Sequence, residues 1–396
     1  MKASKEPLWT KDFTVVSVIN FFVMLVFYLL IVIISAYAVD ELQASTSQAG
    51  LATGIFIIGA LIGRLATGSI IDSFGKRKIL FLGLSLFILT SLLYYIEAGI
   101  TFLFITRLLH GIALGIASTA TGTLIAAIIP ASRKGEGIGY YSMSTTLATA
   151  IGPFLGLYLT QIASYTAIFS FCLALSIISF TGALAVRTKE PEPSRTADAK
   201  REAFSLSRLI EPKALPIAVV VLVTGFAYSS VLSYINFFAK EIGLVEAASF
   251  FFIVYAVSVL ASRPFTGRLM DSKGENHIMY PAFVAYGLGL LLLSAAGTSM
   301  VLLLAGVLIG LGFGNMQSTT QAIAIKSTVP QRMGLATSTF FIFLDAGLGF
   351  GPYALGLIIP STGYRTLYAS LGVLMLLMIA GYYFLHGNKS KARTAH

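Results

Sequence analysis

Twelve long apolar runs constrain this chain more than any other feature. They lie near 13–38, 47–71, 77–97, 100–128, 136–160, 164–186, 213–239, 246–270, 277–297, 299–325, 333–359 and 364–386. Each is broken mainly by Gly, Pro, Ser and Thr. A helix needs about 20 such residues to cross a bilayer, and only helices or closed barrels satisfy their backbone in lipid. Barrel strands would be about half as long and would alternate polar with apolar. The runs therefore predict an all-α membrane protein with twelve transmembrane helices.

Composition agrees. Hydrophobic residues make up 56% of the 396 residues, charged residues 11%, and the mean hydropathy is +0.85. Soluble domains are typically about 25% charged, so lipid must be the solvent here. The net charge of +10 does not call for nucleic acid as a partner, because the cations concentrate in alternate loops. Lys76, Arg77, Lys78, Arg133, Lys134, Lys326 and Arg332 fall on one side. Asp40, Glu41, Glu97, Glu241 and Glu246 fall on the other, with only Lys240 and Arg365 as cations. Cationic loops stay in the cytoplasm, which predicts a multi-pass protein of the cytoplasmic membrane with both termini inside. The first run is too long for a signal peptide and is read as a retained span. The single cysteine, Cys172, sits in an apolar run and permits no internal disulfide or thiolate metal site.

The chain is duplicated. Gly68, Asp72 and Gly75 recur as Gly267, Asp271 and Gly274 at one constant offset. Arg64 recurs as Arg263, Arg133 as Arg332, Gly135 as Gly334, and the Gly152–Pro153 pair as Gly351–Pro352 at that same offset. Two pseudo-symmetric six-helix bundles follow, residues 1–186 and 213–396, joined by a polar, proline-containing cytoplasmic linker, 187–212. Part of the linker, about 198–210, has the pattern of an amphipathic surface helix.

The motif "GSIIDSFGKRK" (68–78) ends the second run. Gly68 and Gly75 permit close helix approach and a sharp turn. Asp72 can accept hydrogen bonds from a neighbouring helix N-terminus or pair with a cation. Lys76, Arg77 and Lys78 face anionic headgroups. With its second copy, Gly267, Asp271 and Gly274, the set reads as a conformational latch, a polar contact present in one access state and broken in the other.

Arg107, His110 and Asp345 are charged or titratable residues set inside the runs. Arg107 stands about seven residues into the fourth, where an arginine costs at least about 2.5–3.5 kcal/mol unless it meets a cavity, a partner or the interface. His110 is its neighbour, a candidate relay or a packing residue. Asp345 lies about twelve residues into the eleventh run, about 18 Å deep, as a candidate proton carrier, counter-ion or structural hydrogen-bonding group. Arg64 and Arg263, near the inner boundary, are candidate gates, able also to snorkel to the surface, to pair with the aspartate two turns on, or to pair with an acid on the other half.

The fifth run presents Gly139, Ala148, Gly152, Pro153 and Gly156, small or kinking residues that make a groove and a bend. Asn20, Tyr28, Tyr228, Tyr234, Asn236, Asn315 and Gln317 are candidates to line a substrate cavity or to bond helix to helix. No Ser/His/Asp set, metal-spaced cluster or P-loop points to an enzyme or an ATP-driven pump.

Together these motifs resemble the major facilitator superfamily, in its twelve-span drug:proton antiporter-like group, over essentially the whole chain. "GSIIDSFGKRK" fits the loop signature of that superfamily throughout, and "GRLMDSKGENH" is a second copy without the cation cluster. "RLLHG" is similar to the span 4 motif in which an arginine, here Arg107, is linked to proton transfer. "GYYSMSTTLATAIGPFLGL" is similar to the span 5 antiporter motif, with Ala148 and Leu157 where the motif has glycine. The acid that some multidrug members carry deep in span 1 has no counterpart, since Asp40 lies at the outer end. The resemblance implies a proton-coupled antiporter that exports amphipathic organic compounds in the manner of multidrug efflux. Export of one metabolite, sugar or siderophore, or proton-coupled import, are its alternatives. The expected partners are a small organic solute, protons and membrane lipids. The expected protein is a monomer driven by the proton motive force without a cofactor or metal.

Overall fold

The computed structural model describes residues 7–44, 46–187 and 209–388. Among them the chain forms twelve helices and no strand. These are α1 (Lys11–Asp40), α2 (Thr46–Phe74), α3 (Lys76–Leu92), α4 (Ile100–Ile128), α5 (Lys134–Ile162), α6 (Tyr165–Leu184), α7 (Leu215–Glu241), α8 (Val245–Lys273), α9 (Asn276–Ser294) and α10 (Ser299–Lys326). A continuous stretch, Met333–Tyr382, breaks at Gly363 with φ 74° into α11 (333–362) and α12 (364–387). Each helix overlaps one of the twelve apolar runs. Eleven of the described stretches are long and apolar enough to cross a membrane. The exception, α5, carries "YYSMSTT" in its first half.

The helix ends follow from local chemistry. Thr10 caps α1 by accepting from the Phe13 amide, and Ser164 and Thr298 do the same for α6 and α10. Gly75 (φ 104°) and Gly274 (φ 88°) make the tight corners after α2 and α8 in a backbone region that other residues avoid. Inside α10, residues Gly310–Gly314 form a π-helical turn. Such a turn displaces backbone carbonyls from the helical ladder, and Gly314 carbonyl oxygen accepts from the Arg263 guanidinium at 2.9 Å.

The chain divides into two compact units. Unit 1 comprises Met1–Pro130, Leu147–Pro212 and Thr328–Phe341; unit 2 comprises Ala131–Thr146, Lys213–Ser327 and Ile342–His396. The first half of α5 thus packs within unit 2, and the start of α11 within unit 1. In unit 1, α4 is the central helix, packed along α2 and α3, with a buried stretch from Ala113 to Ala126. In unit 2, α10 takes the matching place against α8 and α9.

The linker is not solvated throughout. Glu211 is 3% exposed, and its amide donates to Thr339 Oγ1 at 2.9 Å. Its carboxylate accepts from Arg332 Nε at 2.5 Å. The linker's final residues are therefore pinned to the start of α11 within unit 1. The amphipathic helix expected near 198–210 falls almost wholly outside the described residues.

Candidate functional site

The duplicated motif builds the same joint twice. In unit 1 the Asp72 carboxylate accepts from the Gly334 amide at 2.9 Å, capping the N-terminus of α11. The positive end of the helix favours an anion there. Lys76 Nζ lies 3.4 Å from the same carboxylate. Arg77 instead reaches over the Phe81 ring, 5.5 Å from its centroid. The glycines are steric requirements: a Cβ on Gly334 would stand 2.0 Å from Ile71 Cγ2, and one on Gly68 would stand 2.4 Å from Ser338 Cβ. Ser338 Oγ also donates to the Arg64 carbonyl at 2.7 Å.

In unit 2 the Asp271 carboxylate accepts from the amides of Gly135 and Glu136, both at 2.8 Å, and so caps α5. A Cβ on Gly267 would stand 2.6 Å from Glu136 Cα. The second copy of the motif has no cation run of its own, but cations reach it from elsewhere. Lys326, at the end of α10, lies 3.1 Å from Asp271. Glu136, with its side chain 4% exposed, accepts from Arg133 at 2.7 Å and from Arg268 at 3.0 Å. The bond from Glu136 raises the Arg133 guanidinium above its ordinary pKa.

Arg64 and Arg263 are buried against the central helices and do not snorkel to the surface. Arg64 is 3% exposed; its Nη1 donates to Ser118 Oγ of α4 at 2.9 Å, and its guanidinium lies 4.4 Å from the Phe341 ring centroid. Arg263 is 2% exposed and donates to Ser318 Oγ and the Gly314 carbonyl of α10. Each arginine ties the motif helix to the central helix of its own unit, α2 to α4 and α8 to α10.

A second polar cluster sits in unit 1. Arg107 is fully buried. Its Nε donates to the Ala52 carbonyl of α2 at 3.1 Å, its Nη1 to the Tyr94 hydroxyl at 3.2 Å, and its guanidinium lies 4.2 Å over the Phe56 ring. The Tyr94 hydroxyl is 3.1 Å from His110 Nδ1. His110 is also fully buried, ringed by Phe56, Phe87 and Tyr94. Among the described residues Arg107 has no carboxylate partner. Its full burial against Ala52, Tyr94 and Phe56 keeps it from snorkelling to the surface. Asp345 is half-buried on α11 within unit 2. Its neighbours Leu344 and Gly347 pack on α7, at Gly225 and the Leu222 carbonyl.

The small residues of α5 make close contacts. Gly152 and Gly156 lie against Tyr28 and Leu29 of α1, one turn apart and either side of Pro153; Gly139 faces Arg263 and Gly267. Ala148 is fully buried, so the departure from glycine is accommodated without loss of packing. The polar candidates divide. Asn20 is buried, its Oδ1 accepting from Thr121 of α4 at 3.2 Å. Asn315 bonds Ser262 at 2.9 Å and Thr266 at 3.0 Å. Tyr234 donates to the Pro352 carbonyl, and Tyr228 is buried against Phe313, 4.0 Å between ring centroids. These four join helices within a unit. Tyr28 and Gln317 are half-buried. The side chain of Asn236 lies outside the described residues.

Sequence reasoning did not single out Tyr94, Glu136, Glu211 or Lys326 as site residues. The available signal was modest. Glu136 is an acid in an otherwise basic inner loop, and an acid there asks for a partner; Glu211 sits in a linker of mixed charge and gave no such signal.

Known proteins share this architecture. The profile of the Major Facilitator Superfamily matches residues 16–342 and 245–395. Multidrug resistance protein 1 of Bacillus subtilis is 23% identical over 345 residues, 86% of this chain and 87% of that protein. The staphylopine export protein of Staphylococcus aureus is 22% identical over 358 residues, again 86% of this chain and 87% of that one. The crystal structure of the human organic anion transporter MFSD10 superimposes with a TM-score of 0.75 at 15% identity, covering 96% of this chain and all of that one.

Proposed function

Since the chain belongs to the Major Facilitator Superfamily, and is a multi-pass membrane transporter of that fold, we propose that it is a proton-coupled antiporter that exports amphipathic organic compounds from the cytoplasm. One observation carries the coupling. Arg107 is buried inside a helix bundle, held by a carbonyl, a phenol and an aromatic face and, among the described residues, by no acid. A buried cation so held responds to any proton added nearby. Export is supported by the small-residue face of α5 and by the two bacterial relatives, a multidrug resistance protein and a staphylopine export protein. The second of these names a single exported metabolite, so export of one specific solute is the reading that stands next.

In this account the capped helix starts hold one access state. Release of α11 from Asp72 and of α5 from Asp271 accompanies the change to the other. Asp345 and the Arg107 cluster exchange protons, and the basic loops lie in the cytoplasm. The protein works as a monomer, with the proton gradient as its energy source and no cofactor.

Inverted membrane vesicles from an overexpressing strain test the direction. Fluorescent amphiphilic cations should accumulate in the vesicles when the proton pumps are energised and leave when a protonophore is added. Accumulation that matches vesicles without the protein, across amphiphilic and metabolite panels alike, contradicts export.

A further inference from the structure

The acid-bearing end of unit 1 contains a small cleft lined by Tyr37, Leu42, Tyr94, Ile96, Phe102 and Thr106, among others. Its interior has room for about one water molecule. The walls are otherwise mostly apolar. At the mouth stand Glu41 and Glu97, each next in sequence to a lining residue, both exposed and both acting electrostatically on the Tyr37 phenol.

At the floor the chemistry changes. Thr106 Oγ1, Arg107 Nη2 and His110 Nε2 are buried without a hydrogen-bond partner among the described residues. Buried polar atoms are rarely left so; ordered water is their usual partner where protein groups are not. All three lie within five residues of α4, and Thr106 belongs to the cleft wall itself. Tyr94 faces both ways. It lines the cleft, while its hydroxyl accepts from Arg107 and lies against His110 Nδ1. A phenol oxygen has two acceptor sites and one hydrogen. Arg107 takes one acceptor site; with His110 in the tautomer whose Nδ1 accepts, the hydrogen goes to His110, and the second acceptor site is left for a donor from the cleft.

We propose that this cleft is a hydrated proton port, and that Tyr94 transfers protons between its water and His110. A hydronium in the cleft gives its proton to the Tyr94 oxygen as the phenol's own hydrogen passes to His110 Nδ1. The phenol ends neutral, the water is regenerated and the imidazole gains one positive charge. The groups around that charge are Arg107 on α4 and the Tyr94 phenol after α3, with Cys172 of α6 near Tyr94. Among the described residues α2 and α3 place the Phe56 and Phe87 rings and the Ala52 carbonyl there. The new imidazolium repels the guanidinium and loosens its hold on that carbonyl. The helix so released, α2, is the one that carries Asp72. The acids at the mouth concentrate cations, and the narrow apolar wall admits water while excluding organic solutes.

The use of the proton rests on the antiport reading; the port itself is testable without transport. The full-length protein with Cys172→Ser serves as background, carrying either Ile96→Cys at the mouth or Thr106→Cys at the floor. Intact cells are treated from outside with silver ion, which is about the size of water, or with a bulky trimethylammonium thiosulfonate. Silver should block both cysteines, the bulky reagent only that at residue 96. Adding Glu41→Gln and Glu97→Gln should slow silver at residue 106 by about tenfold. A residue 106 cysteine that resists external silver while that at residue 96 reacts overturns the port. In proteoliposomes Tyr94→Phe should slow solute-driven proton movement by about 100-fold while solute binding and silver access persist. Proton movement at the parent rate in that variant overturns the role of Tyr94. A parent that moves no protons refutes antiport, and the silver result then decides the port by itself.

Discussion

Arg107→Lys is expected to cut proton-coupled transport by about 100-fold while leaving a folded, correctly inserted protein. The guanidinium makes two directed bonds from different nitrogens, to the Ala52 carbonyl and the Tyr94 hydroxyl, and lies over Phe56. A lysine ammonium is a point charge on a flexible stem and does not reproduce the planar fork. Losing one charge-assisted bond costs about 1.5–3 kcal/mol, and the desolvated stacking on Phe56 about 2 kcal/mol more. About 2.7 kcal/mol already corresponds to a factor of about 100 in rate. Arg107→Ala should lose at least as much rate. The measurement is initial transport rate in energised vesicles, normalised to protein in the membrane and accompanied by thermal melting in detergent. A lysine variant that transports at the parent rate removes the fork from the mechanism.

Asp72→Ala and Asp271→Ala should slow turnover by about 10-fold or more with solute affinity little changed. Each carboxylate holds a helix start in place by charge-assisted bonds worth about 1.5–3 kcal/mol, and removing it shifts the balance of access states by a corresponding factor. The effect should be larger at Asp271, which accepts two backbone bonds and lies 3.1 Å from Lys326. Asp72 accepts a well-formed bond from Gly334 at 2.9 Å, with the Leu335 amide as a weaker second donor, and lies 3.4 Å from Lys76. Turnover from counterflow and affinity from equilibrium binding separate the two effects. Equal loss of binding and turnover would show that these aspartates shape the solute site rather than the balance of states.

The fold was legible because lipid leaves the backbone few choices. Runs of apolar residues had to be helices, and the constant offset between Asp72 and Asp271 gave the duplication before any coordinates. Gly68 and Gly267 of the motif stand at close approaches. What they approach was not readable: Gly334 lies 262 positions beyond Asp72, and no local pattern announces that pair. The same distance problem concealed Glu136 with Arg268 and Glu211 with Arg332. Arg64 and Arg263 were placed at the membrane boundary from their depth alone, which left snorkelling open. Their serine partners on α4 and α10 lie more than 50 residues away in sequence. Tyr94 was hidden for a different reason. An aromatic residue near a helix end is ordinary in a membrane protein, and only its bonds to Arg107 and His110 distinguish it.

Purified protein in proteoliposomes with a pH-sensitive dye inside gives the most direct test of proton antiport. On addition of a solute exported in the vesicle assay, the parent should move protons across the membrane against the solute's direction, and Asp345→Asn should bind the solute but move few or none. A parent that carries the solute with no proton movement, or an asparagine variant indistinguishable from the parent, would contradict the account.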